Sequence, residues 1–327
     1  MFFSRLALSL PRIHIVIQMK QSFFKGSICA LISMITIINC NSQESDNAIL
    51  QMMPEIPEGI TDPAQRAEYL AHHFWDNFDF LNTSLLMNNN FLERCFVEYI
   101  DLLSIVSVET MEKSVNMLMK KSEEEKDVFL LILKLSEQYL YEPDSPVGDE
   151  TKLIPFLQYA LQSALLDNIE KIRPDFLLKN ISKNIPGSIA GDFTYILKND
   201  ETGNLHSINT DFTLLYFNDP ECEDCMMLIK QLIVSPVINE MIKQGRLKII
   251  TVYVNDDIET WEKHSSEVLN SWIYSRDAEQ KIIIEGIYNI KQFPTMYLLG
   301  KEKVVLLKDT TFKKLEDYFK ESQNTVN

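Results

Sequence analysis

Phe212-Thr213-Leu214-Leu215-Tyr216-Phe217-Asn218-Asp219-Pro220-Glu221-Cys222-Glu223-Asp224-Cys225-Met226-Met227-Leu228-Ile229 decides the reading of this chain. The first six residues are an apolar, aromatic and β-branched run of strand length. Asn218-Asp219-Pro220 then breaks the run with turn-forming residues. The residues from Glu223 on have helical character. A Cys-x-x-Cys pair therefore sits where a buried strand turns into a helix. The first turn of a helix has unpaired N–H groups and the positive end of the dipole, and both favour a thiolate. The pair can also close a disulfide across one turn and reopen it. The chain has no second Cys-x-x-Cys, so a four-thiolate zinc site within it is ruled out and no metal is expected. Redox chemistry and a structural disulfide both remain open from these residues alone.

Working outward, the pattern downstream of Gly191 is that of alternating strands and helices. Phe193 to Leu197 and Phe212 to Phe217 read as strands, with Asp200-Glu201-Thr202-Gly203-Asn204 as the turn between them. A helix is predicted from about Glu223 to Lys243, ended by Gly245, and Leu247 to Val254 is a β-branched strand. Strand, helix and strand here make a parallel crossover. Short helices are expected near Glu259–Asn270 and Ala278–Glu285. Thr295–Leu299 and Val304–Leu307 form a hairpin over Gly300-Lys301-Glu302-Lys303, and the last helix covers about Phe312–Ser322. Nine glycines in 327 residues give no support to a phosphate-binding loop.

Upstream the pattern differs. From Ala64 to Glu142 there is neither glycine nor proline, which points to helices joined by short polar turns. Thr61-Asp62-Pro63 is a helix start: a capping side chain, then proline in the first turn. Leu70, Phe74, Trp75 and Phe78 follow at helical spacing, and Phe91, Cys95, Phe96, Tyr99, Leu102 and Leu103 make a second stripe. Asn88-Asn89-Asn90 reads as a turn. Helices are expected over about 108–121, 124–141 and 151–170. Arg173-Pro174-Asp175 and Pro186-Gly187 bracket a linker. Adjacent His72 and His73 point about 100° apart on a helix and share a metal ion poorly. Cys95 lies on an apolar stripe as a buried, inert thiol. Glu123-Glu124-Glu125 reads as a helix N-terminus complementing the dipole. Residues 60–180 thus form an all-α domain with no catalytic constellation.

The C-terminal part, about residues 188–322 of a domain running from 188 to 327, resembles the thioredoxin fold, in particular its TlpA/ResA-like lipoprotein branch. Gly191-Asp192-Phe193 resembles the opening of that branch. Thr213–Phe217 with Cys222-Glu223-Asp224-Cys225 resembles its active-site strand and redox motif. Tyr288-Asn289-Ile290-Lys291-Gln292-Phe293-Pro294-Thr295 resembles the segment that ends in a cis-proline facing the cysteines. The resemblance implies a thiol–disulfide oxidoreductase with the disulfide itself as the redox group and no other cofactor. Cys222 and Cys225 would be catalytic, and Phe293, Pro294 and Thr295 would position the substrate. Three departures qualify it. Glu221 stands where the branch has tryptophan. The buried carboxylate of many thioredoxins would align near Tyr216. Acidic Glu223 and Asp224 separate the cysteines. With Asp219 and Glu221, four carboxylates fall within 219–224. They should hold the nucleophile near or above the thiol reference of roughly 8.5, which argues for a reductant or exchange catalyst over a strong oxidant.

The N-terminus adds a compartment. From Met19, Lys20 and Lys25 form a basic stretch, and Gly26–Ile38 an apolar one too short to span a bilayer. This segment ends at Asn39-Cys40 and resembles a bacterial lipoprotein signal peptide, residues 1–39, with Cys40 as the lipidated residue. Residues 40–59 read as a tether. The formal charge of the whole chain is -16; losing Arg5, Arg12, Lys20 and Lys25 with no acid makes it -16 minus 4, or -20. Such a surface repels nucleic acid. The expected location is the bacterial cell envelope, lipid-anchored at the periplasmic face or the cell surface. The expected partners are envelope protein thiols and disulfides, an upstream thiol reductant, and the membrane through its anchor. The alternative is a non-catalytic binding lipoprotein whose cysteines form a structural disulfide.

Overall fold

The computed structural model of the chain describes residues 52–82, 89–143, 145, 147–277 and 279–324. The signal segment 1–39, Cys29, Cys40 and most of the 40–59 tether lie outside the described residues. By their contacts the residues form two compact units, divided between Asp175 and Phe176.

The first unit is helical: α1 Pro63–His73, α2 Asn89–Leu103, α3 Val108–Ser122, α4 Lys126–Leu140 and α5 Ile154–Gln162. The start at Pro63 follows from chemistry visible in the sequence. Asp62 accepts the Gln65 N–H at 3.0 Å, and proline occupies the first turn, where no N–H is needed. Ser107 caps α3 in the same way through the Thr110 N–H at 3.1 Å. Phe74, Phe96, Tyr99, Phe129 and Phe156 are fully buried. The Tyr99 and Ser114 hydroxyls meet at 2.7 Å and Ser114 donates to the Ala71 carbonyl, so a polar chain crosses this apolar core from α2 through α3 to α1.

Four local expectations are corrected here. The helix placed at 151–170 ends at Gln162, after a 3-10 turn at Glu150–Leu153. Ser163 turns extended, donates to Glu123 at 2.7 Å and accepts the Leu165 N–H at 3.2 Å, a side-chain competitor that stops the helix. Glu123 caps the C-terminus of α3 and pairs with Lys120, while Glu125 is the N-cap of α4, so the acidic run bridges two helices instead of opening one. Asn89 and Asn90 already belong to α2. The linker bracketed by 173–187 contains a helix, α6 Ile172–Ile181, with Pro174 in its first turn.

The second unit is built on a seven-stranded sheet: β1 Thr194–Leu197, β2 Thr202–Asn204, β3 Phe212–Phe217, β4 Leu247–Tyr253, β5 Ile273–Arg276, β6 Thr295–Leu299 and β7 Val305–Leu307. Its order is β2-β1-β5-β4-β3-β6-β7. β3, β4 and β5 run parallel, and the pairs β3/β6, β6/β7, β1/β5 and β1/β2 are antiparallel. The helices are α7 Glu223–Val234, α8 Pro236–Lys243, α9 Ile258–Lys263, α10 Lys281–Ile284 and α11 Phe312–Asn324. The chain is therefore an all-α region followed by an α/β thioredoxin fold.

The period-2 alternation of β3 sorts its side chains between two cores. Leu215 and Phe217 join Ile250, Val252, Tyr297, Leu299, Phe193 and Tyr288 on one face. Leu214 and Tyr216 join Ile249, Met296, Leu298, Leu228, Leu232, Met241 and Phe319 on the other, beneath α7, α8 and α11. Gly191 fits only as glycine: a Cβ there would stand 2.6 Å from the Ile287 side chain. The Tyr288 hydroxyl donates to the Gly191 carbonyl at 2.6 Å and locks that approach.

Three expectations fail in this unit. Residues 202–204 are a strand, so β1 forms a hairpin with β2 over Asp200, which takes a left-handed φ of 62°, and does not turn directly into β3. The helix placed at 223–243 is two helices bent by 65°, because Pro236 supplies no N–H and Ser235 caps α8 at Ile238. Strand β5 lies between the two short helices expected near 259–270 and 278–285, where no strand is expected. It is four residues long, and its Ser275 is buried only because its hydroxyl donates to the Thr251 carbonyl at 2.8 Å.

Candidate functional site

β3 delivers the chain to its C-terminal edge at Phe217, where Asn218 still follows the ladder by donating to the Val252 carbonyl at 3.3 Å. Asp219 then folds the turn from within. Its Oδ1 accepts the Glu221 N–H at 2.9 Å, its carbonyl accepts the Cys222 N–H at 3.1 Å, and its Oδ2 accepts Asn255 Nδ2 at 2.9 Å from the loop after β4. Two loops at the same edge of the sheet are tied by one carboxylate.

Cys222 is the N-cap of α7. Its sulfur accepts the Cys225 N–H at 3.2 Å, so the thiol takes the place that a serine or aspartate oxygen fills at ordinary helix starts. The same Sγ lies 3.7 Å from the Phe293 carbonyl, toward which its S–H donates. The Phe293–Pro294 peptide is cis. Thr295 opens β6 opposite Phe217, and its hydroxyl donates to the Gln292 carbonyl at 2.7 Å. Of the three residues expected to face the cysteines, Phe293 meets the Cys222 sulfur through its carbonyl, and Pro294 and Thr295 follow it into β6.

The two thiols differ in access. Both are free, Cys222 is half-buried and Cys225 has no exposed surface. Burial pushes the Cys225 thiol up to about 12, with the hydrogen bond to Cys222 acting in the same direction; the Asp219 backbone N–H and the Tyr216 side chain pull it the other way. Of the four carboxylates, Glu221, Glu223 and Asp224 are exposed and Asp219 is half-buried. Asp219 is thus a loop-building residue as well as a charge. Burial and the charges of Asp219 and Asp257 also raise the nearby Tyr253 hydroxyl.

Tyr216 enters the sequence reading only as the place of a missing carboxylate, and the structure adds a contact for its hydroxyl. It is fully buried, and its hydroxyl donates to the Cys225 carbonyl at 2.9 Å. The signal was available: alternation along β3 puts residue 216 on the face that α7 covers. Among the described residues no group of three His, Cys, Asp or Glu side chains gathers to hold a metal ion. Cys40 lies outside the described residues.

A sheet of this order, with a cysteine pair at the strand-to-helix turn and a cis-proline opposite, defines a thioredoxin-like protein. A solved thioredoxin-like protein from Bacteroides caccae is 36% identical and superposes with a TM-score of 0.80, over 82% of this chain and 97% of that one. That share is too large for the second unit alone, and the chain belongs to this family of thioredoxin-like proteins. The C-terminal domain of an uncharacterized protein from Bacteroides fragilis is 37% identical over 42% of this chain and 99% of that one, with a TM-score of 0.42. The thioredoxin domain of a thiol-disulfide oxidoreductase from Bacteroides vulgatus is 19% identical over 42% of this chain and 97% of that one, with a TM-score of 0.36. These last two likenesses are too partial to bear on activity. The model of a domain of unknown function, DUF5106, matches residues 35–184, a range that takes in the helical unit. No curated protein matches the chain.

Proposed function

We propose that the chain is a thiol–disulfide oxidoreductase of the bacterial envelope that reduces or exchanges the disulfides of other proteins. The observation that carries this reading is the asymmetry of the pair: a half-exposed Cys222 sulfur on the first turn of α7, and a buried Cys225 sulfur one turn behind it. Cys222 as thiolate attacks a substrate disulfide, forms a mixed disulfide and expels one substrate thiolate. Cys225 then attacks the Cys222 sulfur, closes the Cys222–Cys225 bond and expels the second. The substrate gains two electrons and the pair loses them, so an upstream thiol reductant must restore the dithiol. The Phe293 carbonyl beside the sulfur offers the substrate backbone a hydrogen-bond acceptor, with Pro294 and Thr295 fixing its position. The acidic residues around Cys222 favour a reductant or exchange role. No cofactor beyond the disulfide is required. A lipid on Cys40 would hold the protein at the periplasmic face or the cell surface.

The test is a titration of the purified full chain against a thiol redox buffer with free-thiol counting. Reversible cycling of one cysteine pair is expected. A pair that never reduces in the native state would replace this reading with that of a binding module stapled by a structural disulfide.

A further inference from the structure

We propose that the second unit carries a further binding site, for a small hydroxylated carboxylate, in a polar cavity at the end of β3 away from the cysteines, with the Lys303 ammonium as the group that takes the anion. The site is independent of the oxidoreductase reading above. Asp211, which lines the cavity, precedes the first residue of β3, and Asn218 of the redox loop follows its last. At about 3.3 Å per residue the strand sets the two places roughly 20 Å apart.

The cavity has a volume of about 620 Å³, within the range that small-molecule sites occupy. Lys303 and Ile208 are both in its wall. Lys303 is 3% exposed, and its Nζ donates to the Ile208 carbonyl at 2.6 Å. An ammonium has three donors, so one such bond leaves it under-satisfied. Among the described residues no carboxylate pairs with it, and burial lowers its pKa with no neighbouring charge to oppose the shift. Buried charges are ordinarily paired, because an unpaired one carries the cost of its lost hydration. The acids at the cavity are placed otherwise. Asp211 is held by Arg246 at 3.1 Å and by Lys301 at 3.4 Å, and those contacts keep its carboxyl below the usual range. Glu302 is exposed on the turn. The backbone is committed to this arrangement. Glu302 and Lys303 have φ of 54° and 58°, a left-handed pair for which a hairpin prefers Asn-Gly. The chain keeps a long cationic side chain at that costlier position and seats its head on the Ile208 carbonyl. A single unpaired ammonium matches a monoanion, which favours a carboxylate over a phosphate dianion. Polar groups beside it suit hydroxyls. The Thr210 hydroxyl donates to the Arg246 carbonyl at 3.0 Å and keeps its lone pairs as acceptors, and Asn209 lines the same cavity with an exposed amide.

The experiment is saturation-transfer NMR on the purified full chain with D-glucuronate, and with D-glucose as a neutral sugar of the same ring. Glucuronate should give a saturable signal. Glucose, which lacks the carboxylate, should bind about tenfold more weakly or worse, the loss of one hydrogen bond to a charged group. Lys303→Met keeps the stem and removes the charge, and should weaken glucuronate by about the same factor. Asn209→Trp changes an exposed residue of the rim, should crowd the cavity and weaken glucuronate as well, and carries the test should Lys303→Met fold poorly. No saturable binding of glucuronate to the wild type overturns the proposal, as do equal affinities for glucuronate and glucose. Wild-type affinity in a folded Lys303→Met chain, or in Asn209→Trp, overturns it too, and would leave Lys303 as a staple between the β6–β7 turn and Ile208. The thiol titration described above reads the cysteine pair alone, so failure of either reading is recognised without the other.

Discussion

Two buried thiols, one in each unit, show what burial alone does and what it does not. Cys95 sits on α2 with no exposed surface, and burial pushes its thiol up to about 12. Cys225 on α7 is as buried, and burial pushes it to the same value. Their surroundings differ. The Cys95 sulfur has the thioether of Met52 at 3.9 Å, a soft apolar neighbour. Cys225 has a second thiol one turn away, whose sulfur accepts its N–H at 3.2 Å, and its carbonyl accepts the hydroxyl of Tyr216 at 2.9 Å. A thiol enclosed by apolar groups is a packing element. The same thiol at a helix start, with a partner one turn away, can be charged for the moment of attack. The helical unit therefore stores a cysteine and the sheet unit can use one.

The comparison breaks most visibly if the order of the two cysteines in the sheet unit is wrong. Cys225→Ser expressed in a bacterial envelope should accumulate disulfide-linked complexes that vanish with reductant, because the mixed disulfide on Cys222 then has no resolving thiol. Cys222→Ser should trap few, and Cys95→Ser should leave the wild-type pattern. Equal trapping by the two α7 variants on non-reducing gels would contradict the division of labour.

Next in size is the independence of the sheet unit. Leu177 and Ile181 of α6 are buried, and Lys308 Nζ donates to the carbonyls of Ile181 at 2.7 Å and Lys183 at 2.8 Å. A fragment of residues 172–327 should fold and retain disulfide exchange. A fragment of 184–327 should be less stable by roughly 3–6 kcal/mol, the loss of two buried aliphatic side chains. Equal urea midpoints for the two fragments would show that α6 is no part of this unit.

Much of this unit was legible because its signals are local. β3 is a six-residue apolar run with nothing to compete with it, and the cysteine spacing marks the start of α7. The cis peptide at Pro294 was implied by the resemblance of residues 288–295 to a family segment; the residues alone suit an edge-strand proline as well. What stayed hidden depends on distant partners. β5 is a strand because β4 and β1 flank it, although its own four residues carry a buried serine. The break at Ser235-Pro236 had a signal in the proline, outweighed in the reading by apolar periodicity on both sides. Tyr216 was read as the place of a missing carboxylate; that its hydroxyl reaches Cys225 depends on how closely α7 approaches β3.

A smaller effect is expected in alkali. Cys95 and Cys225 both have folded-state values raised from 9.0 to about 12, so each favours the protonated thiol in the fold. A raised value contributes stability that is fully present below the unfolded value and is lost as pH rises through the folded one. The urea midpoint should hold up to about pH 9 and fall between there and pH 12. Buried Tyr99, Tyr216 and Tyr288, whose hydroxyls burial also raises, add to the fall. Cys95→Ala should lower the midpoint at neutral pH through lost packing, and the alkaline fall should then be shallower. A fall of unchanged steepness would mean that Cys95 does not sense the fold.

The smallest effect concerns charge around the half-buried Cys222 thiol, where four carboxylates gather within 219–224. Glu221, Glu223 and Asp224 are exposed, and Asp219 completes the set. Exposed charges act through water and within about 10 Å at ordinary ionic strength, so their reach covers the Cys222 sulfur but their strength is modest. An anionic reagent approaching that sulfur meets repulsion that a neutral one does not. The ratio of iodoacetamide to iodoacetate rates at Cys222 should therefore shrink by roughly two- to fivefold in Glu223→Gln/Asp224→Asn, and shrink similarly in wild type on raising the salt. Taking the ratio of two reagents on one protein cancels changes in the thiolate fraction, which leaves only the field that the reagent crosses. If the ratio ignores both salt and substitution, the two side chains point away from the path to the sulfur, and the acidic residues shape the loop without guarding the thiol.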